Sequence, residues 1–137
     1  MAIIIINNVR KNRGIDFSNT YIEKFFIKNG SDYSHSKFTN DSISNLDEAI
    51  SVEPGVILDF CNFEGVHFRI PNGANRIFIE EGGVFFRGAN LKNCIFGDWA
   101  DTKRKFIEWM GSGSYENGLQ YVSAETIWID GTSILEP

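Results

Sequence analysis

The sequence predicts a single mainly β domain, residues 1–137, built as an irregular solenoid of roughly five-residue steps. Two observations lead to this prediction. Large apolar residues recur at a spacing of five, and a small residue stands two positions before most of them. The length of 137 residues fits one domain, and a content of 42% apolar residues with twelve phenylalanines can form one core.

The five-residue spacing is clearest in residues 84–98, which read VFFRG-ANLKN-CIFGD. Residues 56–70, VILDF-CNFEG-VHFRI, and residues 31–45, SDYSH-SKFTN-DSISN, follow the same spacing. A step this short cannot bury its apolar residues alone, so we expect successive steps to stack around a common core.

The segment ANLKN-CIFGD resembles the pentapeptide-repeat family, whose unit has a small residue followed two positions later by Leu or Phe. The resemblance implies a coil in which each unit forms one side, with the large and small residues inside. The predicted fold class is therefore mainly β: a short irregular right-handed parallel β-helix (solenoid) with one or two short helices, one of them capping an end.

A second resemblance covers residues 42–91. A helical pattern at 42–50 is followed by Pro54 and by extended segments, an order similar to the entry of pectate-lyase-like right-handed β-helices, which are common in phage tailspikes. Both families imply stacked parallel strands.

The remaining pattern predicts an N-terminal strand in the four isoleucines at 3–6 and a capping helix at 100–110. Asp98 or Asp101 is the expected N-cap of that helix, and Gly111 is the expected stop. A glycine-serine turn follows at 111–114, and strands are predicted at 119–123 and 126–130. We expect the last strand to pair with the N-terminal one.

Charge divides unevenly along the chain. Residues 1–40 carry six Lys/Arg against three Asp/Glu, whereas residues 41–137 carry seven against fifteen. An acidic body argues against direct binding to nucleic acid, which needs a basic surface. It favours a basic protein partner, and an acidic surface that only keeps the protein soluble is the alternative.

Four carboxylates are the predicted partner-binding residues: Asp59, Glu64, Asp98 and Asp101. The pentapeptide-repeat family includes acidic mimics of duplex nucleic acid that bind topoisomerases, and the resemblance implies only an acidic wall of this kind. The predicted function is a non-enzymatic protein-interaction module, acting as an inhibitor, immunity or mimic protein on a basic or nucleic-acid-processing partner.

The alternative is a phage tailspike-like module that binds or cleaves surface glycan as a trimer, with Glu64, Asp98 and Asp101 as candidate acid and base. The C-terminal aromatic residues would then contact sugar, although core packing explains most of them. Homo-oligomer formation is left open. No signal peptide or membrane span is recognised, so we expect the cytoplasm of a host cell, or a virion assembled there.

The sequence contains no recognisable motif for catalysis, cofactor binding or metal binding. We predict no catalytic residue, no cofactor and no metal site, because neither a CxxC nor an HExxH spacing occurs. His35 and His67 are expected to face solvent. Cys61 and Cys94 occupy the small position of the five-residue unit, which predicts buried, reduced thiols.

Overall fold

The computed structural model describes residues 4–6, 14–16, 22–27, 32–38, 50–52, 55–66, 83–96 and 100–137. Three short strands, β1 (Ile4–Ile6), β2 (Ile22–Ile27) and β3 (Ile50–Val52), form a parallel sheet in the order β1-β2-β3. In this sheet Ile6 pairs with Phe25, and Phe25 pairs with Ile50. β1 lies where the sequence predicts an N-terminal strand.

Tight turns make up much of the described chain between the strands and the helices. In the turn at residues 58–61, the Cys61 N–H donates to the Leu58 carbonyl at 3.2 Å, and Phe60 has a φ of 59°. In the turn at 63–66, Val66 and Phe63 make the same bond at 2.9 Å, and Gly65 has a φ of 77°. A positive φ at the third residue is the signature of a type II turn.

These turns stack in two columns. We call the turns at 33–36, 58–61, 86–89 and 123–126 the first column, and those at 63–66, 91–94 and 128–131 the second column. Backbone hydrogen bonds join the layers: the Phe60 N–H donates to the Arg87 carbonyl at 2.8 Å, and the Gly65 N–H donates to the Lys92 carbonyl at 2.9 Å. The spacing between the layers is therefore set by the backbone.

Single residues between the two columns pair in parallel from layer to layer. Lys37 bridges to Asn62, Asn62 to Asn90, and Asn90 to Ile127. The amide side chain of Asn90 also donates to Asn62 Oδ1 at 3.2 Å.

The predicted inward-facing residues are buried wherever the structure describes them, which confirms that part of the sequence analysis. The large positions have at most 4% of their surface exposed, and the small positions at most 3%. The large residues are Tyr33, Phe38, Leu58, Phe63, Phe86, Leu91 and Phe96; the small ones are Ser36, Val56, Cys61, Val66, Val84, Ala89 and Cys94.

Aromatic rings run through the interior of the stack. Phe38 and Phe63 are stacked with ring centroids 5.1 Å apart, and Phe63 meets Phe86 edge-on at 6.1 Å. Phe86 in turn contacts Phe106 at 5.5 Å. Such pairs stabilise a core by about 0.5–1.5 kcal/mol each beyond their area burial.

Phe106 belongs to helix α1 (Lys103–Met110), which confirms the predicted helix with a slightly later start. Its N-cap is Thr102, whose hydroxyl accepts from the Lys105 N–H at 3.1 Å, and not Asp98 or Asp101. Gly111 is the C-cap, as predicted. Buried Phe106, Ile107 and Met110 attach the helix to the core.

The predicted fold class is wrong. Only 14% of the described residues lie in strands, so the described part is not a mainly β domain or a right-handed parallel β-helix. The physical reason is the turn content: the turns at 58–61 and 63–66 leave one residue, Asn62, between them. One bridging residue is too short to form a strand.

Two C-terminal predictions are also wrong. Where a strand was expected at 119–123, the chain forms α2 (Tyr115–Gly118) and a 3₁₀ helix (Leu119–Tyr121). Where a strand was expected at 126–130, only Ile127 forms bridges, one parallel to Asn90 and one antiparallel to Ser133. β1 pairs with β2 and not with this segment. Ile50 begins β3, so the helix predicted at 42–50 cannot include it; the other residues of that helix lie outside the described ones.

None of the helices in the described ranges has the length and apolar character needed to cross a membrane.

Candidate functional site

Asp59, the first predicted partner-binding residue, occupies the second position of a first-column turn and is only 8% exposed. Its Oδ1 accepts from the backbone N–H of Arg87 at 2.9 Å, in the next layer. Its Oδ2 accepts from Arg87 Nε at 3.0 Å and from a terminal amino group at 2.6 Å. The structure therefore places this carboxylate in an internal ion pair.

The same hydrogen bonds act on the cation. The side-chain hydrogen bonding that Arg87 donates to Asp59, the largest cause, raises the pKa of Arg87 above its ordinary value. The guanidinium also lies 4.7 Å from the centroid of the Phe85 ring. Arg87 is thus held between a carboxylate and an aromatic face.

Glu64 occupies the equivalent position in the second column and is exposed. Its backbone N–H donates to Asn62 Oδ1 at 3.1 Å, which fixes the start of the turn. The next layer places Lys92 at the same turn position, and the layer after that holds the turn that carries Asp130. Among the described residues no ion pair involves Glu64.

Asp101 lies just before α1, with about half of its side-chain surface exposed, and forms an i,i+4 ion pair with Lys105 at 2.9 Å. Asp98 lies outside the described residues. Asp59 and Asp101 thus each pair with a separate cation, whereas Glu64 forms no described ion pair.

In both columns a carboxylate is followed by a cation at the second turn position of the next layer. Asp59 precedes Arg87 in the first column, and Glu64 precedes Lys92 in the second. In the last layer the carboxylates Glu125 and Asp130 stand one position later, at the third residue of their turns. We call Glu64, Glu125 and Asp130 the corner carboxylates; all three side chains are exposed.

Asp130 is stabilised in its ionised form. The hydroxyl of Thr132 donates to Asp130 Oδ1 at 2.6 Å and the Thr132 N–H donates to the same oxygen at 3.0 Å. The bond from the Thr132 hydroxyl is the larger cause and the bond from the Thr132 N–H the second. Together they lower the pKa of Asp130 below its ordinary value. The carboxylate is therefore charged over the whole neutral range.

An exposed aromatic stack lies beside the Asp59–Arg87 pair. Phe60 is 51% exposed, and its ring is stacked on that of His35 with centroids 5.0 Å apart. Both residues have left-handed backbone, with φ values of 59° and 64°. On the other side the ring covers Gly88, where an added Cβ would lie 2.3 Å from the Phe60 ring.

The thiols are confirmed as buried and free. The Sγ of Cys61 donates to the Tyr33 carbonyl and that of Cys94 to the Phe63 carbonyl, both at 2.9 Å. Burial raises the pKa of Cys61 to about 12 and raises that of Cys94 as well. Neither thiol is accessible as a nucleophile or a ligand. His35 is exposed, as predicted, and His67 lies outside the described residues.

Sequence reasoning missed Arg87 and Lys92 as residues at the same turn positions as Asp59 and Glu64 in the next layer. A signal for both was present. When residues 56–66 are aligned with 84–94, an offset of 28 places Asp59 opposite Arg87 and Glu64 opposite Lys92. Opposite charges at the same turn position, in both columns, indicate adjoining layers.

The described residues contain no group of three or more His, Cys, Asp or Glu side chains suited to a metal ion. Comparisons with protein-family models, with curated proteins and with solved structures found no match.

Proposed function

We propose that this chain is a non-enzymatic protein-interaction module that binds a basic partner protein through its corner carboxylates. An inhibitor, immunity or mimic protein acting on a nucleic-acid-processing partner fits this description. The observation that supports it is the exposure of Glu64, Glu125 and Asp130 on hydrogen-bonded turns, outside every ion pair of the described residues.

The local charge balance supports the same proposal. Residues 100–137 contain three Lys/Arg and six Asp/Glu. Arg104 and Lys105 are each paired with a carboxylate of the same helix or of its preceding loop, at 2.8 and 2.9 Å. The remaining exposed charge of this segment is therefore mostly negative, which favours association with a basic surface.

Rigid presentation is the second requirement for such an interface. Carboxylates on flexible loops lose conformational entropy when they bind. Here the turn hydrogen bonds at 63–66, 123–126 and 128–131, all between 2.9 and 3.0 Å, hold the backbone of the corner carboxylates in place before binding.

The proposal is tested by a pull-down from lysate of the cells that produce the protein, at low and high salt, followed by a direct affinity measurement with the recovered partner. The test variant is Glu64→Gln/Glu125→Gln/Asp130→Asn. The matched control is Asp101→Asn/Glu116→Gln/Glu136→Gln, which changes the net charge equally but leaves the corner carboxylates intact.

We expect a basic partner whose affinity falls as salt rises, because screening weakens exposed charge interactions beyond about 8–10 Å. The test variant should lose most of the affinity and the control should retain it. Equal losses in both variants would mean that only net charge matters. Recovery of no protein would reject the proposal and favour glycan binding or a virion component.

A further inference from the structure

A groove of about 570 Å³ opens beside the first turn of α1, between that helix and the last residues of the chain. Its volume falls within the usual range of small-molecule sites, about 300–1,000 Å³. The groove combines an apolar and aromatic wall with two adjacent cations. The residues that matter are Ile107, Tyr115, Ile134 and Leu135 on the wall and Lys103 and Arg104 at the edge.

The ammonium of Lys103 is held in place by uncharged oxygens. Its Nζ donates to Thr132 Oγ1 at 2.7 Å and to the backbone carbonyl of Glu136 at 3.0 Å. An ammonium has three N–H groups, so one donor remains for a ligand. Asp130 accepts from the same Thr132 hydroxyl, and the charge of Lys103 helps to lower the pKa of Asp130.

The guanidinium of Arg104 is also held in one orientation but remains accessible to solvent. Its Nε donates to Glu108 Oε1 at 2.8 Å, and the group lies 4.7 Å from the centroid of the Tyr115 ring. Its side chain is still 69% exposed. The terminal amino groups therefore keep donors that can bind a carboxylate in bidentate geometry.

The apolar wall would contact the body of a ligand. Ile134 and Ile107 are buried, whereas Leu135 remains 41% exposed, so the groove has apolar surface that water covers in the free protein. Glu136 also lines the groove. Its negative charge favours a ligand with a single negative charge over a dianion such as phosphate.

We propose that this groove binds an organic carboxylate with an aromatic or aliphatic body. Lys103 and Arg104 donate to the carboxylate, and Tyr115 and Leu135 contact the body. The ligand would be either a free small acid or the carboxyl end of a peptide, which share this chemistry. Thr132 links the site to one corner carboxylate, Asp130, but the site does not depend on the function proposed for these carboxylates.

The test is an NMR titration of the full chain at low ionic strength, following the backbone amides. The probes are benzoate with its neutral partner benzamide, and N-acetylphenylalanine with its neutral amide. We expect both acids to shift the amides of Lys103, Arg104, Tyr115 and Leu135. The neutral partners should bind at least about tenfold more weakly, because they lose the charge-assisted hydrogen bonds.

Variants separate binding from folding. Arg104→Gln should weaken benzoate about tenfold or more, and Lys103→Gln should do the same. The control, Lys92→Gln, removes an exposed cation of the second column and should leave the affinity unchanged. Thermal unfolding of each variant checks that the fold is retained, and Glu136→Gln should strengthen the binding of both acids.

Stronger binding of N-acetylphenylalanine than of benzoate would indicate that the ligand is the carboxyl end of a peptide. Stronger binding of benzoate would indicate a small acid. The proposal is overturned if neither acid shifts these amides, if benzamide binds as well as benzoate, or if both folded cation variants bind benzoate as the unmodified chain does.

Discussion

In the layers up to residue 94, the turns of the two columns share a left-handed third residue but differ in their side chains. In the first column the left-handed positions of two layers hold exposed aromatic residues, His35 and Phe60, and Asp59 is internally paired with Arg87. In the second column the same positions hold Gly65 and Asn93, and Glu64 is exposed without a described ion pair. In these layers the first column thus contributes aromatic surface, and the second contributes free charge.

This difference shows that the turn determines where a side chain lies but not what surrounds it. Asp59 and Glu64 stand at the same position of consecutive turns. What separates them is the residue in the next layer: Arg87 reaches Asp59 and also rests on Phe85, whereas Lys92 forms no described ion pair. The environment of a turn residue is therefore a property of two layers together.

The largest effect is expected from a phenylalanine pair. Phe63→Ala, in the interior of the second column, should lower the free energy of unfolding by about 3–5 kcal/mol, because a fully buried ring leaves a cavity. Phe60→Ala, in the first column, should cost about 1 kcal/mol, since the half-exposed ring mainly loses its stacking on His35. Urea unfolding followed by tryptophan fluorescence measures both. Equal losses would contradict the assignment of Phe60 to the surface.

The two thiols should be strongly protected, and equally so in both columns. Because burial raises the pKa of Cys61 to about 12 from 9.0, its thiolate fraction at pH 8 falls about a thousandfold. Alkylation by iodoacetamide, monitored by mass spectrometry with and without urea, measures this. Fast alkylation of either thiol in the folded chain would contradict the described burial.

The same pKa gives a pH dependence. The folded-state value lies above the unfolded one, so the native thiol keeps its proton after the unfolded thiol has lost it. The contribution to stability is complete below about pH 9 and is lost as pH rises towards 12. Cys61→Ala should reduce this alkaline loss.

A carboxylate pair tests the difference in ion pairing. Asp59→Ala should lower stability by about 1–3 kcal/mol, because the partly buried Arg87 N–H loses its acceptor. The guanidinium part of the loss is small because that side chain is 45% exposed. Glu64→Ala removes the same charge and should change stability by no more than about 0.5 kcal/mol. Similar values for the two variants would mean that the Asp59–Arg87 pair contributes little.

The last prediction is a small coupling energy between Phe60 and Gly88, which has a φ of 69° and lies under the Phe60 ring. Gly88→Ala should lower the free energy of unfolding by about 1–2 kcal/mol, because alanine is strained in the left-handed backbone. It should lower this free energy further because the Phe60 ring must move. In a Phe60→Ala background the further loss should disappear, giving a coupling energy of at least about 0.5 kcal/mol in a double-mutant cycle. If the losses of stability in Gly88→Ala and Phe60→Ala simply add, the two residues are not in contact.

The sequence alone predicted much of the interior. Positions five apart, such as Leu58 and Phe63, were expected to be buried and are. The C-terminal helix, its Gly111 cap and the two buried cysteines were also predicted. These features depend on local periodicity and residue size, which a single chain displays directly.

The strand predictions failed for a physical reason. The five-residue spacing in 56–66 predicted stacked strands, yet Phe60 and Gly65 adopt left-handed backbone that closes a turn at each step. A phenylalanine at such a position is unusual, so its residue type gave no warning. The layers above and below, through His35 and Gly88, stabilise it there.

The sequence by itself determined which residues form the core, because burial follows from the spacing of apolar side chains. It also determined the excess of carboxylates after residue 40. Only the tertiary structure decided which of them are neutralised. Asp59 meets Arg87, 28 residues later, because hydrogen bonds stack one turn on another. Coulomb energy depends on distance in space, and a chain's own order does not specify that distance.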